Sequence, residues 1–386
     1  MDFTIPEEIE MLRQSLRKFI EKEIIPMEEK AGYDPDEGVP QELLQKVRKR
    51  SHELGFWGID LPEEYGGGGL NTLGTVILRE EVSKYFCSLT QAIFGGPEGP
   101  SKIILAGTEE QIQKYLVPVI KAEQTCCFAL TEPNAGSDAA SIETSAVKDG
   151  DEWVINGLKH FITNGPDADY AIVFAVDDKE KRGRGGITCF LVDKGTPGFS
   201  LGRIQHTMGG GESQCELIFE DCRVPNENVL GEVGMGFITA MTFLGGGRLN
   251  IAAGAVGMTE KLLKASAEYA GQRVQFGKPI ASKQAIQWML ADIATELFAA
   301  RNMVYNTAWR LDQGEMAAKE MAMCKLYATE LVNRAADVAM QIHGGMGYMK
   351  EAPIERVYRN VRMLRIVEGT SEIQRFIIAR ALLAEQ

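Results

Sequence analysis

Residues 152–165, "EWVINGLKHFITNG", decide the fold class of this chain, because they place a strand-like run between two regions of helical periodicity. Three later runs have the same character: "YAIVFAV" (170–176), "GITCFLVDKG" (186–195) and "CELIFEDCRVP" (215–225). Short β-branched and aromatic runs that are separated by Gly, Asn, Asp and Pro are typical of antiparallel strands. We therefore predict a small β-sandwich or barrel over residues 122–233.

Both flanks of this β region have the period of helices. Ile9, Leu12, Leu16 and Phe19 recur at spacings of three and four, which predicts a helical domain over residues 1–121. Residues 246–274, 283–311 and 316–345 are each long enough to cross a bundle, and Gly- or Pro-containing breaks separate them. The predicted fold is α+β multidomain: an N-terminal α-helical domain (1–121), a middle antiparallel β domain (122–233) and a C-terminal four-helix bundle (234–386).

Composition limits the classes of partner. The net charge of −13 disfavours nucleic acid, because a phosphate backbone needs a basic face. No apolar run reaches the roughly 18–20 residues of a membrane span, and the N-terminus lacks the pattern of a signal peptide. Seven cysteines without CxxC spacing indicate a reduced, cytoplasmic location and no structural zinc.

Two stretches of the β region can either bind a ligand or serve only structure. "FALTEPNAGSDAA" (128–140) offers Thr131, Ser137 and free backbone N–H groups, yet its composition is also that of a surface turn. In "KHFITNG" (159–165), a regular strand would place Phe161 and Thr163 on one side. There they can flank a flat cofactor, or the aromatic ring can simply pack on the core.

The C-terminal region has three stretches with similarly open interpretations. Arg273 in "GQRVQFGKP" (271–279) can clamp a pyrophosphate, or this stretch can be a basic helix end capped by Gly277. "QIHGGMGY" (341–348) can admit a nucleotide or merely end a helix. In "RIVEGTSEIQR" (365–375), Glu368 precedes Gly-Thr-Ser at a predicted helix start, as either a working carboxylate or a cap.

Taken together and in this order, these blocks resemble the acyl-CoA dehydrogenase family. "ALTEPNAGSDAAS" is similar to its first signature, and the pattern from Gln341 through "GGMGY" to Asn360 is similar to its second. "VPNENVLG" (224–231), "RVQFGKPI" and "EGTSEIQR" match further family blocks. The resemblance covers essentially the whole chain and agrees with the α–β–α order.

The resemblance implies FAD in a cleft between the β domain and the C-terminal bundle, and a homo-oligomer that is usually a tetramer. Some implied contacts surround the flavin ring. Those from Arg273 to Gly345 would reach a neighbouring subunit's FAD, and Thr370 and Glu372 are further FAD contacts. The residues implied as FAD contacts are Phe128, Leu130, Thr131, Ser137, Phe161, Ile162, Thr163, Arg273, Gln275, Phe276, Gln284, Gln341, Gly344, Gly345, Thr370 and Glu372. Phe161 stands where many members have Trp, and Glu372 stands where some have Gln.

The resemblance also implies the chemistry. Glu368 would take the α-proton of an acyl-CoA thioester, N5 of FAD would take the β-hydride, and electrons would pass to electron-transfer flavoprotein. Ser137, Arg248 and Gly369 would contact the substrate. Some relatives carry the base just before the residue that matches Arg248, but this chain has Gly247 there and no acid in residues 244–248. Glu368 is then the candidate base.

Two rival functions are considered beside a dehydrogenase. An acyl-CoA oxidase has the same fold but is usually much longer, and this sequence ends at Gln386. A non-catalytic helical scaffold would not need an intact "EGTSEIQR" or both signature loops. The sequence therefore favours an acyl-CoA dehydrogenase, whose acyl group can be straight, branched, cyclic or dicarboxylic.

Overall fold

A computed structural model describes residues 4–34, 36–96, 98–211 and 213–384. The helices are α1 (Glu7–Phe19), α2 (Ile25–Ala31), α3 (Gln41–Glu53), α4 (Thr72–Val82), α5 (Glu109–Gln111), α6 (Val117–Ile120), α7 (Gly236–Gln272), α8 (Gln284–Asp312), α9 (Ala318–His343), α10 (Gly345–Tyr348), α11 (Pro353–Val361) and α12 (Ser371–Ala384). The strands are β1 (Cys126–Ala129), β2 (Ser145–Asp149), β3 (Glu152–Thr163), β4 (Tyr170–Val176), β5 (Ile187–Asp193), β6 (Phe199–Gln205), β7 (Gln214–Pro225), β8 (Val274–Gln275) and β9 (Lys278–Pro279). The predicted order of helical, β and helical regions is confirmed.

The chain forms two compact units, which we call the helical unit and the β unit. The helical unit comprises Met1–Gly32, Asn71–Thr90 and Gly245–Gln386, and the β unit comprises Tyr33–Leu70 and Gln91–Leu244. No helix within the described ranges has both the length and the apolar character needed to cross a membrane.

The core of the helical unit lies between α9 and its neighbours. α9 packs against α8, α11 and α12, and α4 packs against α8 and α1. The buried faces carry many small residues, among them Ala252 and Val256 on α7 and Ala328 and Ala335 on α9. Small side chains let helix backbones approach closely.

The β unit is built on a seven-stranded sheet in the order β1-β4-β2-β3-β7-β6, with β5 paired to β4. Most pairings are antiparallel, as predicted, but β1 and β2 run parallel to β4. Every residue of β4 is buried, because both faces of the strand lie in a core. Ile172 and Phe174 on one face belong to one hydrophobic cluster, and Ala171 and Val173 on the other face belong to a second. The unbroken apolar run "YAIVFAV" reflects this burial on both faces.

Candidate active site

Glu368 lies in the short loop before α12. The hydroxyl of Thr370 accepts a hydrogen bond from the N–H of Ile373 at 3.3 Å, and α12 begins at Ser371. The N-cap of the helix is therefore Thr370, two residues beyond Glu368. Capping is thus assigned to the neighbouring hydroxyl, and the carboxylate of Glu368 is available for another role.

The backbone of this loop is held in an unusual conformation. Glu368 has φ +52° and Gly369 has φ +90°. A left-handed conformation in a non-glycine residue costs about 1–3 kcal/mol, so the surroundings must fix it. The side-chain amide of Gln374 donates to the carbonyls of Glu368 (3.2 Å) and Gly369 (2.8 Å). Nε of Arg248 reaches the Glu368 carbonyl at 3.5 Å, and Nζ of Lys325 donates to the Gly369 carbonyl at 2.9 Å.

The carboxylate of Glu368 is directed towards α7. Its Oε2 atom is buried and has no hydrogen-bond partner among the described residues. Gly247 on α7 faces it: a Cβ there would lie 2.7 Å from Cδ of Glu368 and closer still to Oε2. The missing side chain at position 247 therefore provides the room that the carboxylate occupies.

Burial dominates the electrostatics of this carboxyl group. Burial raises the pKa of Glu368 to about 7, against the opposing effect of the positive charges of Arg248, Lys325 and Arg79. Burial also lowers the pKa of the Arg248 guanidinium, which the charge of Glu368 partly restores. A general base works best when its pKa lies near the operating pH, and Glu368 meets that condition.

Lys325 and Gln374 are site residues that the sequence reasoning missed. Both side chains are fully buried, on α9 and α12 respectively. The helical periodicity of α9 could have identified Lys325, since it lies on the same buried face as Cys324, Ala328 and Thr329. Burial of a lysine on an apolar helix face costs free energy unless its ammonium group is paired or hydrogen-bonded.

The β unit gathers the residues that the sequence associated with the flavin ring. Phe128 lies on β1, Leu130 and Thr131 follow it, and the N–H of His160 donates to the Thr131 carbonyl at 2.8 Å. This bond fixes the "ALTEP" loop beside β3. Ser137 lies farther along the loop and is exposed.

Strand β3 departs from the regular geometry that the sequence suggested. Its pairing with β7 shifts register between Lys159 and Ile162, and Phe161 has φ +56°. The ring of Phe161 is 61% exposed, whereas Ile162 is buried in the core, so only the backbone of Ile162 can meet a ligand. The bulge thus presents Phe161 outwards, with Thr163 half-buried two residues later.

A buried ion pair supports this loop, and sequence reasoning did not find it. Nζ of Lys159 lies 2.7 Å from Oε1 of Glu132 and donates to the Leu130 carbonyl at 3.1 Å. The carboxylate of Glu132 also accepts from the N–H groups of Glu143 (2.6 Å) and Thr144 (3.0 Å). Burial lowers the pKa of Lys159 to about 8, although the Glu132 carboxylate acts in the other direction.

The remaining predicted contacts lie on the surface of the helical unit. α7 ends at Gln272 and Arg273 follows it. Gln275 is the last residue of β8, in a β8–β9 hairpin whose turn is Phe276 and Gly277, both with positive φ. The interpretation of Gly277 as a helix cap is therefore wrong, because a two-residue hairpin turn needs positive φ at both positions. Phe276 is 92% exposed, and Arg273 and Gln275 are also exposed.

The other contacts in this unit lie at helix ends. Gln284 is the first residue of α8, Gln341 lies in the last turn of α9, and Gly344 and Gly345 follow that helix. These residues are exposed, as is Glu372 in the first turn of α12. Among the described residues, no hydrogen bond or ion pair joins the hairpin or the α9 terminus to the Glu368 loop.

The chemistry of these groups fits FAD. Phe161 offers an exposed flat ring, Thr131 and Thr163 offer hydroxyls, and the loop after β1 offers backbone polar groups, which suit a flat ring system with a polar edge. The exposed guanidinium of Arg273 suits a pyrophosphate. The residues present are thus compatible with a flavin nucleotide.

Comparison with known proteins identifies the family to which the chain is similar. Family models match in chain order: "Acyl-CoA dehydrogenase, N-terminal domain" over residues 6–123, "middle domain" over 127–222 and "C-terminal domain" over 234–383. The caffeyl-CoA reductase-Etf complex subunit of Acetobacterium woodii is 43% identical over 98% of this chain and 98% of its own length.

Solved structures of acyl-CoA dehydrogenases have the same fold as this chain. Butyryl-CoA dehydrogenase from Megasphaera elsdenii is 38% identical, with a TM-score of 0.87 over 99% of this chain and 100% of its own. An acyl-CoA dehydrogenase complexed with FAD from Bacillus anthracis is 34% identical, with a TM-score of 0.87 over 99% of this chain and 67% of its own. The resemblance to this family and the predicted fold are both confirmed, and the chain belongs to the acyl-CoA dehydrogenase family of FAD-dependent oxidoreductases.

Proposed function

We propose that this protein catalyses the α,β-dehydrogenation of an acyl-CoA thioester to the trans-2-enoyl-CoA, with Glu368 as the base that removes the α-proton. The observation that supports this most directly is the Oε2 atom of Glu368, which is buried and has no hydrogen-bond partner among the described residues, in a carboxyl group whose pKa is raised to about 7. A buried acid that only stabilised the fold would be expected to have a hydrogen-bond partner. An acid without one can accept a proton from a ligand.

The cofactor supplies what the side chains lack: FAD, when bound, accepts the hydride equivalent that leaves Cβ. In this proposal, Phe128, Leu130, Thr131, Phe161 and Thr163 hold the flavin ring. Ile162 contributes through its backbone, and Ser137 contacts both the cofactor and the substrate. Thr370 and Glu372 hold the cofactor from the start of α12.

The remaining FAD contacts come from the surface of a neighbouring subunit. We assign Arg273, Gln275, Phe276, Gln284, Gln341, Gly344 and Gly345 to the pyrophosphate and adenosine of that subunit's FAD. A homo-oligomer follows from this assignment, and we propose a tetramer, as the family resemblance implies. We also propose the domain boundaries 1–121, 122–233 and 234–386, with which the residues matched by the family models are compatible.

The protein's own groups aim and assist the proton transfer. The left-handed backbone of Glu368 fixes the direction of its carboxylate, and Arg248 and Gly369 line the substrate beside it. The N–H of Glu368 is proposed to polarise the thioester carbonyl, which makes the α-proton more acidic. Burial of the carboxylate strengthens both effects, because less water competes for these groups.

A carboxyl group with a pKa near 7 is populated in both protonation states at neutral pH. Glu368 can therefore accept the proton during oxidation of an acyl-CoA or return it during reduction of an enoyl-CoA. The Acetobacterium relative is named as a reductase in a complex with Etf. We propose that an electron-transfer flavoprotein accepts the electrons from this protein. The test below follows the reaction in the direction of acyl-CoA oxidation.

The test is anaerobic reduction of the flavin by butyryl-CoA in the wild type and in Glu368→Gln. The variant should retain yellow FAD and should still bind the thioester, but bleaching should slow by at least ~10²-fold, which is the usual loss when a positioned base is removed. Glu268→Gln, on the exposed face of α7, is the matched control and should behave as wild type. Fast bleaching in Glu368→Gln would refute the role of the base.

Two further measurements separate the rival functions. Oxygen consumption coupled to turnover, without an added acceptor, would indicate an oxidase. A colourless protein that does not take up added FAD would indicate a scaffold that has kept the fold without the chemistry.

A further inference from the structure

Lys325 is a buried charge whose role the proposed reaction leaves unexplained. Its side chain is fully buried on α9, and its hydrogen bond within the described ranges goes to a backbone carbonyl, that of Gly369, at 2.9 Å. Lys159, the comparable buried lysine of the β unit, instead contacts a carboxylate directly. Burying an ammonium group costs several kcal/mol, so Lys325 needs a compensating function or field.

We propose that Lys325 is a positioning residue for Glu368: its ammonium group holds the strained Glu368–Gly369 backbone and supplies a positive charge that acts on the carboxylate of the base. The inference rests on the proposed function of Glu368. It assigns to Lys325 a role in setting when the base is able to accept a proton.

The geometry of the loop supports the first part. Glu368 and Gly369 are consecutive left-handed residues, and their two carbonyls accept hydrogen bonds from Arg248 on α7, Lys325 on α9 and Gln374 on α12. Three helices therefore fix a conformation that Glu368 would not adopt unaided. The donor from α9 is the buried ammonium.

The surrounding charges support the second part. Glu368 faces Arg248, Lys325 and Arg79, all of which oppose the rise of its pKa on burial. Lys325 faces the carboxylates of Glu368, Glu330 and Glu372, together with the guanidinium of Arg248. Burial lowers the pKa of Lys325 to about 8, so most of the lysine is still charged at pH 7. The charge of Lys325 opposes the effect of burial on the pKa of Glu368. If this charge were removed, the pKa of Glu368 would rise further.

The experiment compares three variants that separate charge from hydrogen bonding. Lys325→Met removes both, Lys325→Gln keeps a donor without the charge, and Lys325→Arg keeps the charge. The same Lys→Met change at Lys264, which is exposed on α7, is the control. For each FAD-loaded enzyme, the rate constant of anaerobic flavin reduction by butyryl-CoA is measured from pH 5.5 to pH 9.5.

The expected result is a shift in the pH midpoint of the reaction. In Lys325→Met and Lys325→Gln it should rise by about one pH unit, as expected for loss of a nearby opposite charge. The rate near pH 7 should then fall about five-fold and recover towards wild type at the alkaline end. Lys325→Arg and Lys264→Met should keep the wild-type midpoint. If Lys325→Met does not fold, the Gln and Arg variants still make the comparison.

A second readout does not depend on turnover. The infrared carbonyl band of protonated Glu368, identified by its absence in Glu368→Gln, is titrated with pH in the same enzymes, and its midpoint should shift in the same way. An unchanged band and rate midpoint in Lys325→Gln, or a loss of rate that is equal at every pH, would overturn the inference. Full flavin reduction by Glu368→Gln would instead refute the proposed base, while the infrared titration would still test the coupling to Lys325.

Discussion

The α-carbon of Gly247 lies so close to the carboxylate of Glu368 that the two positions cannot both carry a side chain in their present places. A Cβ on Gly247 would approach Cδ of Glu368 to 2.7 Å, well inside any real contact distance of a Cβ atom. The atoms that it would meet are at the free end of a flexible side chain. The clash should therefore displace the carboxylate before it disturbs the helix.

Gly247→Ala is expected to keep the fold and lose most of the flavin reduction by butyryl-CoA. Glycine-to-alanine changes within a helix favour folding by up to about 1 kcal/mol, so the melting temperature should hold or rise. A misplacement of about 1 Å can slow a reaction by ~10²-fold, and stopped-flow flavin bleaching would measure that loss. Gly246→Ala is the control, because a Cβ there meets nothing within 4 Å. Equal loss in both variants would contradict the steric account.

The stability of the enzyme should depend on the protonation of Glu368. Its pKa of about 7 in the folded chain lies above the ordinary value of 4.5. Below pH 4.5 the carboxyl is protonated in both folded and unfolded chains and has no effect on stability. Between pH 4.5 and 7 the unfolded chain ionises first, so the folded chain loses stability progressively, and above pH 7 the loss is complete.

This predicts a pH-dependent difference between the wild type and Glu368→Gln. The free energy of unfolding of the variant, relative to wild type, should increase by about 2–3 kcal/mol from pH 4.5 to pH 7 and then level off. Denaturant unfolding of the two FAD-loaded proteins across this range measures it. A difference that stays constant with pH would show that the carboxyl is not titrating as its burial implies.

Arg273→Ala should weaken the retention of FAD and the assembly of the oligomer together, because one guanidinium is proposed to hold a neighbouring subunit's pyrophosphate. Loss of such a charged contact costs roughly 2–5 kcal/mol. Flavin content after dialysis, and sedimentation before and after it, are the measurements. Lys278→Ala removes a positive charge from the same exposed hairpin and should change neither. Loss of FAD in both variants would point to general electrostatics.

The sequence predicted much of this molecule because its patterns are local. The buried face of α1 and the runs that became β3, β4, β5 and β7 follow directly from spacing and residue type. The C-terminal helical region is predicted from residue 234, and α7 begins at Gly236 and continues through residues 245–247 despite the low helix propensity of glycine.

The parts of the site that could not be predicted depend on residues that are distant in sequence. The space at Gly247 and the contact of Lys325 with Gly369 arise only when α7 and α9 pack against the Glu368 loop. The bulge at Phe161 depends on the register of β3 against β7. Such features follow from tertiary contacts rather than from local propensity.

Removing either partner of the Lys159–Glu132 ion pair should destabilise the protein, but by different amounts. Glu132 also accepts two backbone N–H groups, so Lys159→Met leaves its carboxylate hydrogen-bonded. Glu132→Gln, in contrast, leaves a fully buried ammonium that has lost its counterion and retains the Leu130 carbonyl. An uncompensated buried charge costs about 3–5 kcal/mol, so Glu132→Gln should be the more destabilising change, as measured by denaturant unfolding.

Both variants should also loosen the flavin, because the pair ties the loop that carries Leu130 and Thr131 to β3. FAD content and flavin fluorescence after gel filtration would report this, with Lys148→Met on the exposed face of β2 as the control. The asymmetry has a further test in pH: Lys159 in Glu132→Gln should lose its proton more readily than in wild type, so raising the pH towards 9 should recover part of the lost stability. Destabilisation of Lys159→Met equal to that of Glu132→Gln, with no recovery at alkaline pH, would mean that packing around the pair, rather than its charge balance, holds the loop in place.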